Sequence, residues 1–415
     1  MEALSLFTQN KERKWFFFII SILFLFNLLL HYLDFKHFTK HEVFSTKATV
    51  INIYPKEKYD VLKLQAKDFT FFTSSVDSSN IKRFDLITLF IVSKDINFYS
   101  YLKGFYAKTF NIQKLEKDIS KKELIYNTID SQHKSQEISS LYSALFIATP
   151  LHTKIREFST KLGISHLIAI SGFHLGVLSF TLYFLIHLIY SKIHQRTFPY
   201  RNKKFDIMCI IVVILFSYLL FIGSPPSLLR AFLMFIFALF LLRNNIKVIS
   251  FETLFIISIM IIALFPKLLF SLSLWFSISG VFYIFLFIKY FKDMNKYIQF
   301  FFFNFWIYFA MNPITHYFFG TLSKEQLISP LLTILFTLFY PITLLLHIFN
   351  EGSIFDSSLL YMIHLGIDSI DVFTPLWLFV SYIFLSLVSI INKKVFILLN
   401  LMMIIYNIWL FYFIF

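Results

Sequence analysis

A single cysteine, Cys209, is all the thiol this chain has. One thiol excludes a disulfide framework and a cysteine-based metal site, so any segment outside the cytoplasm must fold without disulfides. Charge is also scarce. Asp, Glu, Lys and Arg make up 15% of the residues and apolar types 57%, against roughly 25% charged in an average globular chain. A chain of 415 residues with so little polar surface cannot cover itself in water, and the composition implies a polytopic membrane protein. Soluble catalytic motifs are missing: there is no Walker A loop, no HExxH, no GxSxG elbow and no paired His/Asp metal cluster. Without an ATP-hydrolysis motif, any transport must draw on an outside energy source. No catalytic residue, no metal and no cofactor is expected. No repeat with a period of about 20–50 residues is visible.

What is present is apolar and basic. Phe occurs 58 times and the net charge is +14. Most of the rings read as lipid-facing or packing groups. The basic excess fits cytoplasmic loops and equally fits a path for a polyanion. Lys11, Arg13 and Lys14 precede an apolar run over 15–33 that is too long for a signal core and lacks a small-residue cleavage site after it. It reads as a signal-anchor helix with a cytoplasmic N-terminus.

The chain then changes character. Residues 34–138 hold 17 Lys or Arg and 13 Asp or Glu, a net of about +4, and read as a soluble domain outside the cytoplasm. Alternation and β-branched residues predict strands over 43–54, 59–66, 69–73, 85–93 and 96–106. Pro55-Lys56-Glu57-Lys58 and Asp77-Ser78-Ser79-Asn80 supply the turns. Five short strands predict a small β-barrel, with an OB-fold as the first candidate. A polar helix is expected over 108–136, and 138–148 is apolar but too short to span. Membrane spans are expected at about 162–190, 205–222, 226–242, 249–265, 268–288, 298–319, 327–349, 376–391 and 395–415. The expected organisation is therefore 1–33 as tail and anchor, 34–138 as the extracytoplasmic domain, and 139–415 as a multi-helix membrane domain.

The loop 192–204 carries five basic residues and no acid, and 350–375 carries four acids and no Lys or Arg. Strict alternation puts the acidic 350–375 on the cytoplasmic face and the basic loop at 393–394 outside. One segment near 298–349 is therefore expected to be broken or re-entrant, at Pro313, Pro330 or Pro341. A segment over 359–372 is expected in the interface.

The densest polar pattern inside an apolar run is SHLIAISGFHLG at 165–176. His166 and His174 are eight residues apart and share a face if one helix carries both. Ser171-Gly172 lies between them and can break that helix. Two readings compete: a polar, backbone-exposing point on an aqueous path, or close helix packing through small residues. Pro225-Pro226 closes one span and opens the next. Arg230, one turn further on, either snorkels to the headgroups or faces a phosphate path. Ser273, in a serine-rich stripe around Trp275, reads either as a small residue at a helix contact or as a polar group on the path.

The segment Ser143-Ala144-Leu145, Arg156, Phe158, Leu162-Gly163 and His166-Leu167-Ile168-Ala169-Ile170-Ser171-Gly172-Phe173-His174-Leu175-Gly176 resembles the core motif of the ComEC competence family. Pro226-Ser227, Leu229-Arg230-Ala231 and Met234 are similar to a second family block. Phe265-Pro266 and Phe270-Ser271-Leu272-Ser273 are similar to a third, with Ser271 where Gln is usual. Ser329-Pro330-Leu331-Leu332 through Pro341 resembles the last block, with Ser329 where Asn is common. The resemblance covers about 140–349.

It implies a DNA-uptake channel that passes single-stranded DNA across the inner membrane, with His166, Ser171, Gly172, His174, Gly176, Arg230 and Ser273 lining or supporting the path. It further implies membrane lipid around the helices, a periplasmic DNA receptor, and a cytoplasmic helicase or single-strand-binding protein, and it leaves a homodimer open. A short member without the family's metallo-β-lactamase-like domain is expected. The alternatives are a transporter of small or lipid-linked solutes, an intramembrane enzyme using His166 or His174 as an acid–base group, and a scaffold without a pore.

Overall fold

The computed structural model describes residues 9–75, 80–115, 119–197, 199–244 and 248–414. The N-terminal tail to residue 8, the expected turn residues Asp77-Ser78-Ser79, and parts of the basic loops at 198 and 245–247 lie outside the described residues. Contacts divide the chain into two units. Among the described residues, one comprises 9–128 together with 258–274, and the other comprises 129–257 and 275 onward.

In the first unit the apolar run forms helix α1 (Asn10–Phe38). Its N-terminus is closed by a capping box. The Gln9 backbone N–H donates to Glu12 Oε2 at 3.2 Å, and Lys36 and His37 occupy the last turn, where the helix dipole favours cations. Trp15, Phe18, Ile19 and Leu25 are exposed, as lipid-facing residues should be, and Asn27 is satisfied by the Ala263 carbonyl at 2.8 Å.

Next come β1 (Val43–Pro55), β2 (Asp60–Gln65), β3 (Thr70–Ser75), β4 (Leu86–Val92), α2 (Phe98–Lys103), β5 (Phe105–Tyr106) and β6 (Thr109–Leu115). The strands form one sheet in the order β5-β3-β2-β1-β4-β6. Alternation puts Leu62, Leu64, Phe71, Ile87, Leu89 and Ile91 into the core, where Phe38 of α1 joins them. A bulge in β1 between Val50 and Asn52, in its pairing with β2, lies just past the stretch Val43–Thr49 that pairs with β4. The kink lets one strand serve both flanks of the curled sheet.

The sheet is not a closed barrel, which corrects the expected fold. No ladder joins edge strands β5 and β6. β6 meets β3 at one corner, where Thr73 Oγ1 and Thr109 Oγ1 lie 2.6 Å apart. Local capping explains part of the difference. Asn97 Oδ1 accepts from the Ser100 amide at 2.8 Å and starts a helix, and Gly104, at φ 96°, ends it. The segment expected as the fifth strand is thus mostly α2. The polar segment after it, expected to be helical, begins as β6 against β4. The helix there, α3 (Lys121–Asp130), is shorter than expected.

The second unit is helical. Its elements are α4 (Gln136–Ile147), α5 (Thr153–Lys161), α6 (Ser165–Ile168), α7 (Gly172–Thr197), α8 (Lys203–Phe221), α9 (Pro226–Arg243), α10 (Phe251–Leu264), α11 (Leu272–Phe291), α12 (Lys296–Phe318), β7 (Thr321–Leu322), α13 (Ser329–Ile348), α14 (Asp356–His364), β8 (Ile370–Asp371), α15 (Leu376–Val388) and α16 (Lys393–Tyr412). Part of α10 and the start of α11 belong to the first unit.

Among the described residues, seven helices are long and apolar enough to cross a membrane: α1, α7, α8, α9, α11, α13 with the turn before it, and α16. The protein is a mostly helical, multi-pass membrane protein. The expected spans near 249–265 and 376–391 form shorter apolar helices. The first expected span begins at Gly172 rather than 162. α12 carries Asn304, Asn312 and His316 and is not among the seven.

Neither α12 nor α13 is broken, although Pro313 and Pro341 lie inside them. A proline deprives the carbonyl four residues earlier of its helical donor. For Pro313 that carbonyl is Phe309's, and Asn407 Nδ2 donates to it at 3.1 Å. The same Asn407 accepts from Asn312 Nδ2 at 2.7 Å, and the Tyr382 hydroxyl donates to the Ala310 carbonyl at 2.9 Å. Asn407 of α16 therefore satisfies the carbonyl that Pro313 frees, and no break is needed.

Candidate functional site at the helix break before α7

The segment 165–176 is not one helix. α6 is a single turn, Ala169 is extended (φ −68°, ψ 124°), and α7 starts only at Gly172. Ser171 sits before that first turn. Its carbonyl accepts from the Leu175 amide at 3.2 Å, and its own amide and hydroxyl each lie 3.3 Å from His174 Nδ1. Ser171 therefore closes the start of α7 with help from a side chain one turn on. His166 and His174 stand on different helices: His166 is exposed, and His174 is 2% exposed. His174 shares a tight pocket with Leu175, Leu178, Leu215, Tyr218, Leu228 and Tyr340, and its ring meets Tyr340 edge-on at 4.8 Å.

An interrupted helix leaves carbonyls without partners, and at membrane depth each costs several kcal/mol if left so, on the order of an unmade hydrogen bond in an apolar medium. Hydroxyls from distant parts of the chain take them up. The Ser227 hydroxyl, in the first turn of α9, donates to the Ile170 carbonyl at 2.6 Å. Ser323 donates to the Lys161 carbonyl at 2.6 Å and Ser329, at the head of α13, to the Gly163 carbonyl at 3.1 Å. Gln326 donates to the Thr321 carbonyl at 2.9 Å, and Lys161 Nζ reaches the Ile367 carbonyl at 2.9 Å. Gly163 adopts φ 67°, and a Cβ there would stand 3.3 Å from Gln326 Cγ, so the turn favours glycine twice over.

The hinge from α8 into α9 is built by Gly223 (φ 87°), Ser224 (φ 51°) and the two prolines, with Pro226 in the first turn. It delivers Ser227 to the break. It also places Ala231 against Gly172, where an added Cβ would lie 3.4 Å from the Ala231 Cβ. Arg230, one turn into α9, is 3% exposed. Gly176 is exposed, and a Cβ there would meet nothing within 4 Å.

Of the residues singled out from sequence, Ser171, Gly172, His174, Pro225, Pro226 and Pro330 therefore belong to one constellation, with Arg230 and Gly176 on its helices α9 and α7. His166 is on the single turn beside it. Ser273 is an exposed residue in the first turn of α11, in the other unit. Sequence reasoning missed Ser323 and Gln326, which reach the Lys161 and Thr160 carbonyls about 160 positions away, at 2.6 and 3.4 Å. The only local hint is their place in the polar step immediately before Ser329-Pro330.

Chemically the arrangement is a helix interruption whose backbone is held open by side-chain donors. Ser171 and His174 form a hydroxyl–imidazole contact with no carboxylate bonded to the ring among the described residues. No group of three or more metal-binding side chains occurs among them either.

A family model described as Competence protein matches residues 149–414, well over half of the chain. No curated protein and no solved structure matches it.

Proposed function

The chain belongs to the Competence protein family, and on that premise we propose that it passes single-stranded DNA across the inner membrane into the cytoplasm during DNA uptake. A role in DNA uptake follows from the family, and the channel is our reading of the site. The observation that carries it is the break between Ile168 and Gly172, held by Ser227 from α9. Non-helical backbone at membrane depth is tolerated where it is enclosed in protein or lines a water-filled path. The polar side chains of His166 and Ser171 beside the break favour the second condition, since lipid gives them no partner.

A strand with one phosphate per nucleotide needs such a path, because carrying its charge through hydrocarbon is prohibitive. Arg230 is suited to the phosphates, since its planar fork matches two oxygens at once. In this reading residues 1–33 anchor the chain with the N-terminus in the cytoplasm, 34–138 face the periplasm, and 139–415 form the channel. The basic residues before α1 support that orientation. A periplasmic receptor hands over the strand, and a cytoplasmic helicase or single-strand-binding protein receives it. Gly172 lines or supports the same path.

Deleting the protein in its host and supplying labelled double-stranded DNA tests the reading. Arrest of the label in the periplasm, with entry across the outer membrane intact, is the expected result. Normal arrival in the cytoplasm overturns it and brings a transporter of small or lipid-linked solutes forward. Loss of uptake that is restored by a variant with every break residue replaced would mark a scaffold instead of a channel.

A further inference from the structure

Away from the helix break, two buried imidazoles face each other. His133 lies in the connection between α3 and α4, and His347 lies in the last turn of α13. Their Nε2 atoms are 3.0 Å apart. His133 Nδ1 is 3.0 Å from both carboxylate oxygens of Asp356, the first residue of α14. His347 Nδ1 is 2.7 Å from the Thr343 carbonyl of its own helix. The His133 side chain is 0% exposed and Asp356 14%.

The protons in this cluster can be counted. A carbonyl only accepts, so His347 Nδ1 carries a proton. The contact between His133 Nδ1 and the Asp356 carboxylate needs a second, and the contact between the two Nε2 atoms needs a third. Two neutral imidazoles bring only two protons. With the third the two rings together carry one positive charge, and the Asp356 carboxylate cancels it. The buried cluster is then neutral overall and fully bonded, which is the condition for burying ionised groups. The end of α13 also favours a cation at His347.

The surroundings agree with this count. Tyr142 of α4 stacks on His133 at 4.9 Å, and burial together with the Asp356 carboxylate pushes its hydroxyl pKa upward, so it brings no charge. Phe146 meets His347 edge-on at 4.9 Å. Asp130 is bonded to the Ser139 hydroxyl, and Glu137 is paired with Lys154 at 2.8 Å, with His364 at 3.9 Å. Among the described residues, Asp356 is the carboxylate bonded to the imidazole pair. Gln132 completes the junction, donating to the His347 carbonyl at 3.2 Å and accepting from the Gly352 amide at 3.0 Å.

We propose that His133, His347 and Asp356 form a buried proton-binding site whose single extra proton, shared between the two imidazoles, locks the α3–α4 connection onto the end of α13 and the start of α14. When the proton leaves, two lone pairs face each other across the contact and the lock loses its central bond.

Nitrogen-15 spectra of the histidine-labelled full-length protein in lipid nanodiscs, near about pH 7, test the site, with His133→Gln and His347→Gln serving to assign the two rings. The expected result is three protons on the four ring nitrogens of the pair, falling to two in Asp356→Asn. Two protons in the unaltered protein would overturn the proposal. So would an Asp356→Asn variant that keeps three. Should that variant fail to fold, titration of the unaltered protein still decides, because loss of the third proton must move the signals of both rings together.

Discussion

The two units bury opposite things. In the sheet unit the interior is mainly Leu62, Leu64, Phe71, Ile87, Leu89 and Ile91, and in β2 Lys63 and Gln65 alternate to the outside. In the helical unit large apolar side chains such as Phe180, Leu188, Ile189 and Ile405 are exposed, while Ser143, His174, Arg230, Asn312, Ser323, Ser329 and Asn407 are buried. The difference follows from the surrounding medium. Water rewards hiding hydrocarbon. Lipid gives no such reward, so helices associate through close packing and through hydrogen bonds that hydrocarbon cannot supply. In lipid a break such as the one before α7 is tolerated because donors from α9 and α13 are brought to its carbonyls.

Four substitutions sharpen that contrast, from the largest effect to the smallest. Leu62→Asp places a carboxylate with no partner at a fully buried position, and it should cost about 4 kcal/mol or more and open the sheet unit to protease. Asn407→Leu removes the donor to the Phe309 carbonyl and the acceptor for Asn312. It should destabilise the helical unit by about 2 kcal/mol, read as a lower melting temperature in detergent. Ser227→Ala strips the Ile170 carbonyl of its donor. It should cost about 1 kcal/mol and reduce DNA uptake with protein levels unchanged. Phe180→Ala trims an exposed ring on α7. It should change stability by less than about 0.5 kcal/mol, the ordinary range for surface positions. If Phe180→Ala proved as costly as Asn407→Leu, the assignment of inside and outside in the helical unit would be wrong.

Much of this was legible in the sequence wherever a short-range period carried the signal. β1 to β4 follow from alternation and turn residues, and most of the long helices follow from unbroken apolar runs. The signal failed where one local contact redirected the chain. Asn97 and Gly104 turn an expected strand into α2. The strand β6 hides in a polar stretch because its outer face is largely solvated. Prolines misled for a related reason: Pro313 and Pro341 look like breaks, yet the partner that rescues Pro313 is Asn407, nearly a hundred positions later. At the candidate site, Ser171-Gly172 and Pro225-Pro226 announce themselves by type. Ser323 and Gln326 do not, and neither do His133 and His347, because only the folded chain brings each to its partners.

The most direct test of the channel reading asks whether the break faces the strand in transit. Cys209→Ser would clear the one native thiol, and Gly176→Cys, a position open around its Cβ, would carry a photoreactive label. The account predicts that illumination during uptake cross-links single-stranded DNA to this position and not to Leu185→Cys, an exposed position on the opposite face of the same helix. Normal uptake with no cross-link at Gly176→Cys, or equal cross-linking at both positions, would contradict it.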